Sequence, residues 1–487
     1  MSQPDDRGLS LKSWSPRKIE MRDFADKVAP QRNSWIARNR FYYEDHYRYL
    51  DFVIPHDASV LDLGCGTGDL LNALKPVKGV GIDLSEVAIE IARKENPDFE
   101  FFSGDIEDPT ILSAIDGPFD VIVLSDTIGM LEDIAGTLKL LQPLCNPGTR
   151  IIVSYYSQLW APALKIAEFL GLKQKQLPLN WLSAEDIQQL LLLADFDIIK
   201  REWRQLIPKR FFGVGTIVNK LFGWLPGIRQ LCLRNYIVAR PTPSKNKGLP
   251  SVSVIIPCRN ERGNIEDAVR RMPRFCKEIE LLFVEGDSID GTAQEIDRVI
   301  HLFPDWNIRS LQQTGKGKGD AVRQGFTAAQ NNVLMILDAD LTVSPEALPQ
   351  FYHAFVAGKG EFINGSRLIY PMDPKAMRFL NLLANRAFSV LFSWLLNQRL
   401  TDTLCGTKVL SKRNYEKIAA SRTYFGEFDP FGDYDLLFGA SKLNLKMAEV
   451  PIRYAARTYG ETQISRFSDG WLLIRMVFFA WRKMKAF

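Results

Sequence analysis

Two groups of carboxylates and glycines in this 487-residue chain have the spacing of ligand chemistry. In "VLDLGCGTGDLLNAL" (60–74), Gly64, Gly66 and Gly68 directly follow an expected strand, so the backbone can turn tightly and offer N–H groups at the start of a helix. Asp62, two residues before the first glycine, would repel a pyrophosphate but suits an ammonium group. Asp83 ends the next expected strand, where a carboxylate can accept from both hydroxyls of a ribose, and Asp105, with Ile106 beside it, closes the third. The second group lies in "MILDADLTVSPEALP" (335–349). There Asp338 and Asp340, separated by one residue at the end of a buried strand, can face a single hard cation such as Mg²⁺ or Mn²⁺.

Positioning both groups takes two separate sheets. The chain is longer than one core usually serves, and its 46% apolar and 24% charged residues are those of ordinary globular protein. Short β-branched runs "SVLDL", "GVGID", "EFFSGD", "FDVIVLSD" and "RIIVSYY" alternate with helical segments, the βαβ rhythm of a parallel doubly wound sheet. A helix near 183–194 and strands near 196–206 and 235–240 complete it. "PTPSKNKGLP" (241–250) packs Pro, Gly, Ser and Lys between two apolar segments and marks a linker. A second βα series follows with "SVSVIIPC", "IELLFVEGD", a helix after "GKGKGDAVRQGF", and "NVLMILDAD". The expected layout is an arm with lid helices over 1–57, a first α/β domain over 58–240, a linker over 241–250 and a second α/β domain over 251–487.

The glycine loop and its three carboxylates resemble the cofactor site of class I S-adenosylmethionine-dependent methyltransferases, which have a Rossmann-like sheet. The resemblance implies that Asp62 takes the α-ammonium of S-adenosylmethionine, Gly64, Gly66 and Gly68 cradle it, Asp83 binds the ribose, and Asp105 and Ile106 meet the adenine. Methyl transfer from a sulfonium is a direct displacement, so alignment supplies most of the acceleration and few dedicated catalytic groups are needed. After the fourth strand comes "LSDTIGML" in place of the (N/D)PPY of many amino-methylating enzymes. Asp126 there is a candidate base or orienting group, with a helix N-cap as the alternative. Tyr42 and Tyr43 belong either to a lid or to the core.

The DxD comes with "IPCRNE" (Pro257, Asn260, Glu261), "VEGDSIDGT" (Glu285, Asp287, Asp290), "GKGDA" (Lys318, Asp320) and "NGSR" (Ser366, Arg367). This ordered set resembles the family 2 glycosyltransferases of GT-A fold. "DTLCGTKVL" (402–410), "FGDYDLL" (431–437) and "EVPIRYAARTYGETQIS" (449–465) are most similar to the polyprenyl-phosphate sugar transferases, the group that includes dolichol-phosphate mannosyltransferase. The resemblance implies a UDP- or GDP-sugar donor bound by Pro257, Asn260, Glu261, Glu285, Asp287, Lys318 and Asp338. It implies a metal on Asp338 and Asp340, a polyprenyl phosphate acceptor and inversion at the sugar. Ser366, Arg367 and Arg457 are candidates to hold the acceptor phosphate, because guanidinium forks suit it. Asp402 is the candidate base or acceptor-orienting carboxylate, with Asp433 and Asp435 behind it. Several positions depart from the pattern: Gly286 follows Glu285 where paired acids are usual, Thr342 stands where Gln is frequent, and Gln463 replaces a Lys. "QISRF" (463–467) is a near miss to the QxxRW of processive synthases.

Scattered cysteines without a CxxC pair suggest a reducing, cytoplasmic setting, and the net charge of +4 is too small to imply nucleic acid. No apolar run reaches the length of a bilayer span. The segments "AMRFLNLLANRAFSVLFSWLL" and "WLLIRMVFFAWRKMKAF" have the composition of interfacial helices or of helices packed on a core, and "RFFGVGTIVNKLFGWLPGIRQL" (210–231) is similar in character. The reading is a bifunctional enzyme, peripheral on the inner face of a membrane, that also methylates a small or lipid-linked acceptor. The alternative is a glycosyltransferase acting on a soluble or glycan acceptor with a non-catalytic S-adenosylmethionine-binding domain.

Overall fold

Each β-branched run of the first half forms a strand: β1 (Ser59–Leu63), β2 (Lys78–Asp83), β3 (Glu100–Ser103), β4 (Phe119–Ser125) and β5 (Cys145–Tyr156). With β6 (Phe196–Arg204) and β7 (Arg234–Pro241) they make one sheet in the order β3-β2-β1-β4-β5-β7-β6. The computed structural model describes residues 14–243, 248–370, 379–422, 433–455, 457, 459 and 466–485, and the chain divides into two units, Met1–Thr242 and Pro243–Phe487. In the first unit β1 to β5 are parallel, as the βαβ rhythm requires. The expectation of a wholly parallel sheet needs correction at β7, which runs antiparallel to both β5 and β6. Arg204 at the end of β6 pairs with Arg234 at the start of β7, so the chain re-enters from the end it left and needs no crossover helix.

Leu61, Ile122, Ile151 and Ile237 are fully buried on neighbouring strands of this sheet. Helix Ala184–Leu193 starts at a capping box in which Ser183 and Asp186 satisfy each other's backbone N–H groups, and it lays Ile187 and Leu191 into the same core. Burial of each contributes about 1.5–3 kcal/mol, so Leu191→Asp would strip the helix from the sheet. Helix Pro16–Val28 begins where Ser15 Oγ accepts from Lys18 N at 3.1 Å and Pro16 occupies the first turn. This start fixes Lys18 one turn into the helix.

The second unit repeats the logic with β8 (Val252–Cys258), β9 (Ile279–Glu285), β10 (Asn307–Gln312), β11 (Val333–Ile336), β12 (Phe362–Ser366), β13 (Lys408–Ser411) and β14 (Met447–Pro451). Their order is β10-β9-β8-β11-β13-β12-β14, with β13 antiparallel to β11 and β12. Because β8, β9 and β11 are parallel, their carboxyl ends share one edge. Asn260, Glu261, Glu285, Asp287, Asp338 and Asp340 all lie at or just past that edge, where ligands of open α/β sheets bind. β11 stops at Ile336, so the two aspartates sit in the loop after the strand. The polar edge strand β10 has no apolar alternation and escaped the reading of the sequence.

Helices Phe379–Leu396 and Arg466–Met484 occupy the two amphipathic segments and pack on one another. No helix among the described residues is long and apolar enough to cross a membrane.

Candidate active sites

The glycine loop, the ends of β1 to β4 and helix Pro16–Val28 enclose a cavity of about 280 Å³ in the first unit. Gly64 has φ +81°, and a Cβ there would sit 2.4 Å from Thr127 Oγ1, which itself donates to Leu63 O at 2.8 Å. Only glycine lets the loop lie this close to the segment after β4. Asp83 accepts from Gly66 N at 2.8 Å and from Ser85 N at 3.0 Å, which holds its carboxylate at the cavity wall. Asp62 is 1% exposed, and its Oδ1 has no hydrogen-bond partner. Burial, reinforced by Asp83 and Asp69, pushes its carboxyl up to about 7. A buried oxygen left without a donor is costly in the free protein, and an ammonium in the cavity would satisfy it. The space above Gly66 is open, and Gly104, Asp105 and Ile106 line the same cavity. These residues fit the ammonium, ribose and adenine of S-adenosylmethionine.

Asp105 pairs with Lys18 Nζ, which also reaches Glu107 Oε2 at 3.1 Å. Asp126 lies in the left-handed region (φ +61°) and is no N-cap: Arg234 grips it through Nη1–Oδ1 at 3.0 Å and Nη2–Oδ2 at 2.8 Å. Arg234 is fully buried and also bonds the Tyr42 hydroxyl, which lies 3.0 Å from Tyr156 Oη. Tyr43 lines the cavity. His46 is held between Tyr236 Oη and Ser125 Oγ, both at 2.8 Å, and burial pushes it down to about 3, so its ring is neutral. Lys18, His46, Thr127 and Arg234 were all missed from the sequence. Of these only Arg234, a cation opening the otherwise apolar "YIVA" strand, left a visible trace.

In the second unit the two aspartates of the DxD each face a cation. Lys318 Nζ lies 2.6 Å from Asp338 Oδ1, and Arg457 Nη2 lies 2.6 Å from Asp340 Oδ2. Arg457 also reaches Glu261 Oε1 at 3.4 Å, and Glu261 accepts from Asn264 at 2.7 Å. Thr342 supplies N–H and Oγ1–H to Asp340 Oδ1 at 3.1 and 2.8 Å. Burial alone would raise Asp338, but Lys318, with Lys408 and Arg367 beyond it, holds it below the usual carboxylate range. On the β9 loop Glu285 accepts from Ser288 N at 2.7 Å, and Asp287 accepts from Gln312 at 2.8 Å. Asn260 Oδ1 accepts from Ile289 N at 2.9 Å, and Pro257 lies in β8 beside Val284.

The third component is a buried ion pair. Asp402 is fully buried and takes Arg367 Nε at 2.6 Å, Arg367 Nη2 at 2.8 Å, Arg367 N at 3.0 Å and Leu404 N at 3.0 Å. Ser366 Oγ is 2.6 Å from Thr401 Oγ1. The 402–406 turn reaches the DxD, because a Cβ on Gly406 would lie 2.0 Å from Asp338 Oδ2. Asp402, Arg367, Asp338 and Lys318 therefore form one neighbourhood. Asp435 is engaged elsewhere, accepting from Arg422 Nε at 2.8 Å. The Asp433 side chain and Gln463 lie outside the described residues. Among the described residues no cluster of three or more His, Cys, Asp or Glu is arranged to hold a metal. Two carboxylates nonetheless fit a hard divalent ion that takes its remaining ligands from phosphate and water.

Residues 35–201 match the family model "Methyltransferase domain", and residues 253–417 match "Glycosyl transferase family 2". The chain is a methyltransferase domain fused to a family 2 glycosyltransferase domain. Dolichol-phosphate mannosyltransferase of Saccharomyces cerevisiae is 35% identical over 117 residues, 22% of this chain and 43% of the relative. Dolichol-phosphate mannosyltransferase of Pyrococcus furiosus is 28% identical over 218 residues, 44% of this chain and 59% of the relative. The chain thus spans about half the length of these curated relatives. A solved S-adenosylmethionine-dependent methyltransferase of Thermotoga maritima, a possible histamine N-methyltransferase, aligns with a TM-score of 0.36 and 19% identity over 45% of this chain and 99% of its own.

Proposed function

We propose that the glycosyltransferase half moves a sugar from a UDP- or GDP-sugar to a polyprenyl phosphate, and that the methyltransferase half methylates a small or lipid-linked acceptor. The observation that carries the first part is the buried Asp402–Arg367 pair set against the DxD through Gly406. A phosphate oxygen of the acceptor attacks the anomeric carbon as the bond to the nucleotide diphosphate breaks, inverting the sugar. The acceptor is already anionic at neutral pH, so charge management outweighs proton abstraction. In this reading Arg367, Ser366 and Arg457 bind the acceptor phosphate, and Asp402 is a positioning residue that fixes the guanidinium fork. Lys318 neutralises the donor diphosphate, while the loops of Pro257, Asn260, Glu261, Glu285 and Asp287 bind the nucleoside. Mg²⁺ or Mn²⁺ would be held by Asp338 and Asp340 and supplies positive charge at the leaving diphosphate.

In the methyltransferase half, Asp62, Asp83, Asp105 and Ile106 would hold S-adenosylmethionine, which supplies an electrophilic methyl group. Asp126, fixed by Arg234, faces the cavity and orients the acceptor nucleophile. Residues 241–250 are the linker between the two activities, and the enzyme works at the inner face of a membrane. The test is transfer of radiolabel from UDP- and GDP-sugars into organic-soluble product by the purified chain with polyprenyl phosphate and Mg²⁺. Acid-labile lipid label, abolished by chelation and reduced at least about 100-fold in Asp340→Asn, is the expected result. Label confined to water-soluble product would overturn the acceptor assignment.

A further inference from the structure

Helix Val214–Phe222 in the methyltransferase half is amphipathic the wrong way round for a helix of a water-soluble domain. Its inward side carries Gly215 and Asn219, with Val218 half-buried between them. Gly215 is buried so tightly that a Cβ would meet Lys209 O at 1.9 Å, and Asn219 bonds both Ile207 N and Ile207 O at 2.8 and 2.9 Å. Its apolar residues Val214, Ile217 and Leu221, spaced three and four apart, point outward together with Phe222. Just before the helix, Phe211 and Phe212 are exposed, Phe212 completely, at φ +39° and +53°, a conformation bulky residues seldom adopt.

The same unit carries a second exposed apolar stretch. Helix Ala161–Phe169 and the residues after it expose Ile166, Phe169, Leu170 and Leu172. The segments leading into the second stretch and out of the first meet where Trp160 Nε1 donates to Leu231 O at 2.8 Å. The segment that carries the inverted helix has charge of one sign: residues 205–233 contain Lys209, Arg210, Lys220 and Arg229 and no Asp or Glu. Phenylalanines flanked by long cationic side chains suit the boundary between acyl chains and anionic headgroups, where apolar stems sink and charged tips stay wet. A protein partner would ordinarily meet such a face with paired charges of both signs, whereas the one acid within the two stretches, Glu168, is already paired with Lys173 Nζ.

From this we infer that the methyltransferase half carries its own docking face for an anionic lipid bilayer, built from residues 211–222 and 166–172. The face adjoins the cofactor cavity, because residues 174–179, directly after the second stretch, form part of the cavity wall. A lipid-linked methyl acceptor therefore enters from the bilayer side without leaving the membrane surface. That last step rests on the lipid-linked reading given under Proposed function; the docking face does not.

The experiment uses the full chain with vesicles of phosphatidylcholine, alone or mixed with phosphatidylglycerol. The wild type is expected to co-float with the mixed vesicles, less so at high salt, and to gain hydrogen-exchange protection over 211–222. The triple variant Phe212→Ser, Ile217→Ser, Leu221→Ser should lose at least about tenfold in vesicle affinity while keeping its melting curve and S-adenosylmethionine binding. The pair Arg210→Glu, Lys220→Glu should lose the preference for anionic vesicles. Equal binding by wild type and triple variant overturns the inference, as does absence of protection over 211–222 in the wild type. An oligomer that the triple variant dissolves, with no vesicle binding, would make the face a protein interface and overturn it equally. Glycosyl transfer assayed in detergent micelles reads the proposed function separately, so loss of one result leaves the other standing.

Discussion

Replacing Asp402 with Asn tests whether the carboxylate acts by holding Arg367. The wild-type carboxylate receives two guanidinium bonds and two backbone N–H bonds with no access to water. An Asn amide turns one of its two acceptor positions into a donor facing the guanidinium and leaves the Arg367 charge buried and unpaired. Breaking a buried pair from one side costs about 3–5 kcal/mol. At about 2–4 °C per kcal/mol for a domain of this size, the melting transition of the glycosyltransferase half should fall by about 6–20 °C. The methyltransferase half should melt unchanged, so calorimetry of the whole chain carries its own control. Asp402→Asn with Arg367→Met should recover part of the loss, because the stranded charge is gone.

The pH dependence fixes the mechanism. Burial alone would raise the Asp402 carboxyl, but Arg367 and the two N–H donors hold it below the usual range. A depressed carboxyl stabilises the fold fully above its unfolded value of about 3.9, and that contribution fades as pH falls through the lower native value. The stability gap between wild type and Asp402→Asn should therefore be flat from about pH 5 to 8 and narrow below about pH 4. A variant within about 1 kcal/mol of wild type at pH 7, or a gap that closes on the alkaline side, would refute the reasoning.

Asp62 should behave in the opposite sense. Its native pKa of about 7 lies above the unfolded value, so the free protein has this contribution in full below about pH 4 and loses it as pH rises through 7. Asp62→Asn should therefore melt higher than wild type at pH 8 without cofactor, yet bind S-adenosylmethionine at least about tenfold more weakly by calorimetry; unchanged affinity would remove Asp62 from the site. Gly64→Ala puts a Cβ 2.4 Å from Thr127 Oγ1 at φ +81° and should cost about 1–3 kcal/mol in urea unfolding, partly relieved by Thr127→Ala. Lys18→Ala frees Asp105 and Glu107 from their shared cation and should speed cofactor dissociation severalfold in stopped flow with little change in melting.

The groups legible in the sequence were those carried by local patterns. Gly64 to Gly68, Asp83 and the DxD all lie at or just past strand ends, and within each of the two sheets parallel pairing then brings such groups to one edge without further information. What remained illegible depends on side chains that meet across long separations. Lys18 reaches Asp105, Arg234 reaches Asp126 and Tyr42, and Gly406 abuts Asp338, each through a tertiary approach that no periodicity records. The reversed strand β7 was hidden for the same reason, since an apolar run reads alike in either direction. For Asp435, the nearby motif suggested a place behind Asp402, whereas Arg422 on the preceding helical segment engages it.

The position of β7 has a consequence for how the protein is made. It is the last strand of its sheet in sequence, yet it lies in the sheet interior, between β5 and β6. A nascent chain that has only reached β6 has a gap in the sheet, with two rows of backbone groups unpaired and Asp126 still lacking its arginine. Folding of the first half must therefore wait for residues 234–241 to clear the ribosome, moments before the second half begins to appear. Any fragment ending after β6, however complete its glycine loop, would present open strand edges and be prone to aggregate, whereas one ending at Thr242 carries every strand it needs.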